Sequence, residues 1–407
     1  MHSITSIQDF HDGAADIRPA SAPFTVAVVN DWQELELLRE EWTSILAKNA
    51  SLTIFSTPEW LGAWWRAFGK HKQLHALIFR DDRNALVGLV PLYIQRVPSA
   101  LLPRLKELRF VGDGSTDSDN LDFVVMPRYE EAVAKCVVQH LKSNDQWDVC
   151  RLNVMPSDST TAQAFLVNVN FEKLKLESST APWSSIELPE SYEEYLQQLS
   201  SKERKKIGNL GRRLESRYAV NLRRCTELED LPSQLETLFA LHQKRWQARG
   251  KPGAFASPER RRFYHEMSAE FLKRGWLVFC ILELNGITVA AQFGFQYNGT
   301  VYALQEGFDP AYSADSVGYL LRSFSIRKLI ESGAQRYHFL AGQEDSKLRW
   351  NCTNGNYINL QIARPATLGS MQLSFERAKR ACTSGVKQIL PTPLVAVLDR
   401  FRTQSAV

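Results

Sequence analysis

Apolar and polar positions are most clearly ordered between residues 277 and 350. Three apolar runs of strand length, rich in β-branched and aromatic residues, are separated by Asn285-Gly286 and Asn298-Gly299. Asn-Gly favours a two-residue hairpin turn because both central residues need a positive φ. The pattern therefore predicts three antiparallel strands with the sequences WLVFCILEL, ITVAAQFGFQY and TVYALQEGF.

The spacing of apolar positions then changes from that of a strand to that of a helix. Val317, Leu320, Leu321 and Phe324 lie on one helical face, and Gly333 follows. This predicts a helix from about Val317 to Glu331 and its end near the glycine. RYHFLAG is predicted as a strand that returns parallel to TVYALQEGF. A meander, a helix and a parallel return strand are typical of the half of an acyltransferase that binds the acyl carrier.

The first half of the chain shows the same order of predicted elements without sequence identity to the second half. We therefore predict a structural repeat of two α/β lobes with mixed sheets. Residues 24–180 form the first lobe and residues 181–365 the second. Residues 1–23 are polar and patternless and are expected to be disordered. Residues 366–407 form a basic tail, expected to pack as a helix, with contact to a membrane surface as the alternative.

Composition excludes few classes of protein. The 407 residues carry 44% apolar and 23% charged residues and a net charge of +4, which is too small to demand nucleic acid as a partner. The six cysteines form no C-x-x-C pair, which favours reduced thiols in a cytoplasmic protein, with no disulfide and no metal site. No apolar run is long enough for a transmembrane segment.

The motifs of covalent and metal catalysis are mostly absent. The chain has no G-x-S-x-G elbow, no H-E-x-x-H pair and no P-loop. What remains suits direct transfer onto an amine or hydroxyl, which needs a group that accepts a proton and a donor that stabilises developing negative charge.

Carboxylates are the candidates for the proton acceptor. Asp117, Asp119 and Asp122 share the loop GSTDSDNLD, where they could bind an acceptor amine or act as a base. The alternative is a solvated turn. Glu306 is an acid on a mostly apolar strand, so we expect it at a cleft or in a structural ion pair.

Three further segments are candidates for ligand contacts. Glu344, Lys347 and Trp350 follow the predicted return strand, at the end where open α/β sheets bind ligands, although a charged surface turn is an alternative. KERKKIGNLGRRLE could hold the phosphates of a carrier or tRNA, or be a solvated basic face. Trp64 lies on an aromatic helix face that is either core or an acyl pocket.

Five segments occur in an order that resembles a known family: FSTPEWLGAWWRAFG, LVGLVPLYIQ, SDNLD, SSKERKKIGNLGRRLE and FLAGQEDSKLRW. Over about residues 24–365 the chain resembles the GNAT-like acyltransferases of the CelD/BcsL type, also called BioF2-like acetyltransferases. That family is similar to the Fem-type peptidyltransferases. The resemblance implies two tandem GNAT-like lobes, an acyl-CoA or aminoacyl-tRNA donor, and a role in bacterial exopolysaccharide or envelope synthesis.

The resemblance also implies roles for single residues. Lys347 matches a lysine that stabilises the donor or transition state, and Glu344 matches a retained glutamate. His338 stands where the family has an aspartate, and AYSADSVG stands in place of its pyrophosphate loop. The expected catalytic residues are Asp119, Asp122, Glu306 and Lys347. The expected donor contacts are Tyr312, Ser316, Val317 and Gly318. The expected substrate contacts are Glu344, Trp350 and Trp64.

We predict a cytoplasmic N-acyltransferase that holds no cofactor permanently and uses acyl-CoA, acetyl-CoA or longer, as co-substrate. The expected acceptor is a small molecule or a glycan precursor, and DNA is not an expected partner. The protein could also associate peripherally with a membrane polysaccharide synthase. Two alternatives stay open: a Fem-like transferase that uses aminoacyl-tRNA, and a catalytically degenerate GNAT adaptor in a polysaccharide-synthesis complex.

Overall fold

The computed structural model describes residues 24–99, 104–248, 250–251, 253–342 and 345–389. The predictions for residues 1–23, for Glu344 and for the last part of the basic tail lie outside the described residues.

The strands are β1 (Phe24–Val29), β2 (Gln73–Leu74), β3 (Ala76–Asp81), β4 (Leu86–Val90), β5 (Leu92–Val97), β6 (Leu105–Phe110), β7 (Val124–Val125), β8 (Val149–Pro156), β9 (Lys175–Glu187), β10 (Val220–Arg224), β11 (Leu277–Leu284), β12 (Ile287–Tyr297), β13 (Thr300–Phe308), β14 (Arg336–Ala341) and β15 (Thr353–Ala363). The helices are α1 (Trp32–Leu37), α2 (Arg39–Lys48), α3 (Pro58–Phe68), α4 (Glu130–Ser143), α5 (Thr160–Phe171), α6 (Tyr192–Gln198), α7 (Ser201–Arg217), α8 (Leu231–Gln247), α9 (Pro258–Lys273), α10 (Val317–Glu331), α11 (Asp345–Leu348) and α12 (Leu368–Ile389).

The predicted meander is confirmed. β11, β12 and β13 pair antiparallel in sequence, and β14 pairs parallel to β13 after α10. Both Asn-Gly turns have positive φ at both residues, 51° and 80° in the first and 46° and 74° in the second. The predicted class, an α/β fold with mixed sheets, is also confirmed.

The lobes are more closely joined than the sequence indicated. Within the described residues, one sheet of eleven strands runs through both lobes in the order β10-β11-β12-β13-β14-β9-β15-β8-β6-β5-β2, and β1-β3-β4-β7 form a second sheet. The predicted boundary at residues 180–181 falls inside β9, which pairs with β14 on one side and β15 on the other. β10 and β15 were not predicted, because their alternation is weak and β15 begins with the polar residues Thr353 and Asn354.

The sheet of the second lobe is buried on both faces. On one face, aromatic rings of the first lobe pack against it, with Trp60 5.2 Å from Phe295 and Phe55 5.5 Å from Tyr302. On the other face, α10 and the segment with α6 and α7 cover a second apolar cluster that includes Leu320. The first lobe therefore forms one wall of any opening in this sheet.

Helix α12 of the basic tail packs on the first lobe. Leu373 is buried with Leu105, Val149 and Ala363, and Glu376 accepts from Arg151 at 2.8 Å. None of the helices in the described ranges is both long and apolar enough to cross a membrane.

Candidate functional site

The strands β13 and β14 separate in the middle of the second lobe. They pair over three residues only, from Thr300 with Arg336 to Tyr302 with His338. Beyond that point β13 contains one extra residue relative to β12, and Leu340 of β14 has a left-handed φ of 63°. A bulge and a strained residue at one level of a sheet are features that cluster at functional sites.

The separated segments enclose a space of about 490 Å³, which we call the central cavity. Residues 303–306 of β13 and 339–341 of β14 form its sides. Because these segments no longer pair with each other, a ligand that enters between the strands meets their backbone groups. The loop with Asp119 closes the central cavity on the side of the first lobe. Lys347 lines the cavity where the chain leaves the carboxyl end of β14.

Asp119 and Lys347 meet at the same residue of β14. The Asp119 carboxylate accepts from the backbone N–H of Ala341 at 2.7 Å. The Lys347 Nζ donates to the carbonyl oxygens of Ala341 at 2.7 Å and Gly342 at 3.0 Å. Burial raises the pKa of Asp119 to about 6, although the Ala341 N–H and the charge of Lys347 lower it. The two predicted residues thus lie side by side at the cavity, and Asp119 titrates close to neutral pH.

Glu306 lies in the central cavity but is not free to act as a base. Its carboxylate accepts from Arg245 at 3.2 Å and from Arg322 at 2.6 Å. Burial alone would raise its pKa, but the charges of Arg322 and Arg245 hold the pKa below its ordinary value. Glu306 thus lies in a structural ion pair, the alternative given above, and its carboxylate positions two arginines.

A smaller space of about 270 Å³, the helix cavity, adjoins the central cavity at these arginines. Ser316, Val317 and Gly318 line it at the start of α10, together with the cations Lys206 and Arg349. Three of the four predicted donor contacts are therefore at one opening. Tyr312, the fourth, does not line this cavity and lies 6.2 Å from the Tyr218 ring.

Two further predicted residues have other surroundings. Trp64 is 1% exposed, packs on Tyr93 and donates from its indole to Ser115, so it lies in the core, the alternative to an acyl pocket. Asp122 accepts from the Ser159 hydroxyl and lines a separate cavity, because the intervening Asn120 has a φ of 50°. Asp122 is thus not beside the reactive end of the central cavity.

Trp350 lines the helix cavity, with its ring 4.8 Å from Tyr319.

Helix α8 and strand β12 bring further residues to the central cavity that were not predicted. His242 lines the cavity with Trp246 and Gln292. A Cβ at Gly307 would lie 2.5 Å from the His242 N, so this glycine lets α8 approach β13. Burial, with smaller contributions from nearby arginines, lowers the pKa of His242 to about 4, which keeps the imidazole neutral. A buried glutamine inside an apolar strand was the signal that could have indicated the site.

Comparisons with known proteins agree with this fold. Residues 201–348 match the family described as Acetyltransferase (GNAT) domain. The structure is similar to FemX (TM-score 0.56, 10% identity, covering 79% of this chain and 95% of FemX). It is also similar to a conserved protein of unknown function from Bacteroides thetaiotaomicron (TM-score 0.53, 14% identity, covering 84% and 100%). No curated protein matches the sequence. At these identities the structural likenesses establish the fold alone, and the match to the GNAT acetyltransferase domain is limited to residues 201–348.

Proposed function

We propose that this protein is an N-acyltransferase that moves an acyl group from acyl-CoA to an amine or hydroxyl acceptor. The observation that carries the proposal is the gap between β13 and β14. This gap connects the start of α10, with its cations, to Asp119 and Lys347 on the side of the first lobe. Donor and acceptor could therefore approach from opposite faces of the sheet.

The donor side suits a phosphate-bearing molecule. Ser316 makes no side-chain cap at the start of α10, so the first N–H groups of this 15-residue helix are available to phosphate oxygens. Arg245 and Arg322 share Glu306 as their carboxylate within the described residues, so they carry an excess of positive charge. The backbone groups of residues 303–306 that face the gap toward β14 could bind the amide groups of a pantetheine arm.

The lining of the central cavity favours a short or polar acyl group. Besides the ionic side chains, Gln292, Gln305 and His242 face the region between the strands. Burying a long alkyl chain against such groups would leave them without hydrogen-bond partners. The alternative of an acyl pocket on the helix that carries Trp64 is not available, since Trp64 is buried in the first lobe.

The proposed step is a direct attack. The acceptor nitrogen forms a bond to the thioester carbonyl carbon, the carbon–sulfur bond breaks, and the thiolate leaves as free CoA. Asp119 orients the acceptor and takes the proton from its nitrogen. Lys347 stabilises the negative charge that develops on the carbonyl oxygen or on the leaving sulfur.

Helix α7 favours a second candidate, a Fem-like transferase that uses aminoacyl-tRNA. It carries seven basic residues and two glutamates, and Lys206 lines the helix cavity. An RNA bound there would depend strongly on salt, because phosphate contacts release counterions.

The resemblance described above supports a place in exopolysaccharide or envelope synthesis, with a glycan-precursor acceptor. A cytoplasmic location and peripheral association with a membrane polysaccharide synthase are parts of the same proposal.

A thermal-shift titration with free CoA, acetyl-CoA and longer acyl-CoAs tests the donor. A ligand at about 100 times its Kd adds about 2.7 kcal/mol to the free energy of unfolding. We expect a shift with CoA and acetyl-CoA and no further gain with chain length. Arg322→Met should reduce the shift. If no thioester changes Tm, the CoA proposal fails. A salt-sensitive shift with charged tRNA would then favour the second candidate, and no shift with either would favour an adaptor.

A further inference from the structure

Another enclosed space lies between the lobes, at the opposite end of β13 and β14 from the central cavity. Its volume is about 270 Å³, and it shares no lining residue with the central cavity. Thr300 and Arg336 at the starts of the strands, Trp183 of β9 and Asp122 are among its walls. We call it the interlobe cavity. At about 30 Å³ per water molecule, it has room for about nine waters or one small polar molecule.

The interlobe cavity carries an excess of negative charge. Asp122 is 8% exposed, and Asp158 lies at the same wall. In the described part of the chain, neither carboxylate forms an ion pair, and Arg336 at the rim pairs with Glu187 instead. The N-terminus of α5 carries a partial positive charge of about +0.5 from the helix dipole, which is too little to neutralise both carboxylates. A buried carboxylate without a cationic partner is costly, so the site favours a positively charged ligand.

Asp122 can accept another donor in this cavity. One carboxylate oxygen accepts from the Ser159 hydroxyl, and the other accepts from the Phe123 N–H at 2.7 Å. A carboxylate has about four acceptor sites, so these two bonds leave room for an ammonium group. Burial raises the pKa of Asp122 to about 7, with Asp158 adding to the rise and the two hydrogen bonds opposing it.

The remaining walls are suited to an amphipathic, hydroxylated molecule. The Trp183 ring packs between His338 and Gly355. The centroids of the Trp183 and His338 rings are 4.9 Å apart. A Cβ at Gly355 would lie 2.1 Å from the Trp183 ring, so only glycine leaves room for it. The part of this ring that lines the cavity supplies an apolar surface for the carbon skeleton of a polyol. The Thr53 Oγ1 is buried and has no hydrogen-bond partner among the described residues. Other hydroxyl and amide groups line the cavity: Ser51, Asn120, Thr160, Asn298 and Thr300.

We propose that the interlobe cavity binds a small polyol that carries a primary ammonium group, with the ammonium held by Asp122. The inference is independent of the acyl-transfer proposal, since it rests on a different cavity and different residues.

Isothermal titration of the full chain with glucosamine and with glucose tests this site, because the two sugars differ by the ammonium group. We expect glucosamine to bind at least about tenfold more tightly than glucose, as one charge-assisted hydrogen bond provides. Because the ammonium group favours ionised Asp122, glucosamine binding should release protons from the protein. The binding enthalpy should therefore differ between two buffers of different ionisation enthalpy. Equal affinity for both sugars, or no binding of glucosamine, would overturn the proposal.

Three variants assign the ligand to the cavity. Asp122→Asn should weaken glucosamine binding at least about tenfold for the same reason. Asp158→Asn, at an exposed residue that can change without loss of the fold, should weaken it less but measurably. Asp145→Asn, at an exposed residue outside this cavity, should leave glucosamine binding unchanged. Unchanged binding in both Asp122→Asn and Asp158→Asn would place the ligand elsewhere and contradict the inference.

Discussion

Both lobes contain a parallel strand pair and differ in what fills the gap beyond it. In the first lobe, β6 and β8 pair parallel over residues 107–109 and 149–151. The gap beyond that pairing is bridged, because the Asp113 side chain accepts from Arg109 and from Asn153, both at 2.9 Å. In the second lobe, β13 and β14 also pair over three residues, and the gap beyond is the central cavity.

This difference separates structural charges from charges that can serve a ligand. Arg109 and Arg322 are both arginines on or beside a parallel strand pair and both bind carboxylates. Arg109 has Glu107 and Asp113 as partners in a filled gap, whereas Arg322 shares Glu306 with Arg245 at an open one. Residue type alone is therefore not diagnostic. The loop of the first lobe brings Asp119 to β14 of the second lobe.

The largest expected effect on activity comes from the comparison of Asp119 at the central cavity with Asp113 in the filled gap of the first lobe. Asp119→Asn should lower kcat/KM by about 10²–10⁴, the usual contribution of a general base, with little change in Tm. Asp113→Asn should leave kcat/KM near the parent value and lower the free energy of unfolding by about 1–3 kcal/mol, because Arg109 loses the negative charge of its partner. Thiol release from acetyl-CoA with a panel of amines and chemical denaturation measure both. Full activity in Asp119→Asn would exclude its catalytic role.

Two lysines give the next comparison. Lys347→Met should lower kcat by about 10²-fold, which is the usual effect of removing a group that stabilises charge in the transition state. Lys72 of the first lobe also donates to a backbone carbonyl, that of Phe68 at 2.7 Å, but lies over the Trp64 and Tyr93 rings. Lys72→Met should leave kcat unchanged. Partial rescue by Lys347→Arg would support a charge effect, and equal turnover in Lys347→Met and the parent would refute it.

The arginines should show a smaller effect, mainly on donor binding. Arg322→Met should raise the KM for acyl-CoA about tenfold, the worth of one charge-assisted hydrogen bond, and change kcat less. The effect should shrink at high salt, where the parent also loses phosphate affinity. Arg109→Met should lower Tm without raising this KM. A similar KM in Arg322→Met and the parent would move the donor phosphates away from the helix cavity.

Local sequence signals predicted the elements that frame the site. The Asn-Gly turns define β11, β12 and β13, because their backbone geometry depends on two adjacent residues. The apolar spacing after residue 316 gives the bounds of α10. Lys347 could be placed because it follows a strand end, where ligands bind in open sheets. Each of these signals lies within about one element of the chain.

Long-range contacts decided the rest. Glu306 is neutralised by Arg245, 61 residues away, so its isolation on an apolar strand was misleading. Asp119 and Asp122 are three residues apart, yet the backbone turn at Asn120 points them to different cavities. The role of His242 depends on how closely α8 approaches Gly307. Periodicity carries no information on any of these contacts.

The pH dependence should show the smallest effect and sharpen the role of Asp119. Burial raises its folded-state pKa to about 6, above the ordinary value of 3.8. Between these values the folded state binds more protons than the unfolded state, so the contribution of Asp119 to the free energy of unfolding falls as pH rises. Activity should change in the opposite direction and rise about twofold between pH 6 and pH 8, as the base becomes fully ionised.

Parallel denaturation and rate profiles of the parent and Asp119→Asn isolate this group from Asp117 and Asp122, whose pKa values burial also raises. A parent rate that falls over this range would mean that a protonated group, and not the Asp119 carboxylate, limits the transfer.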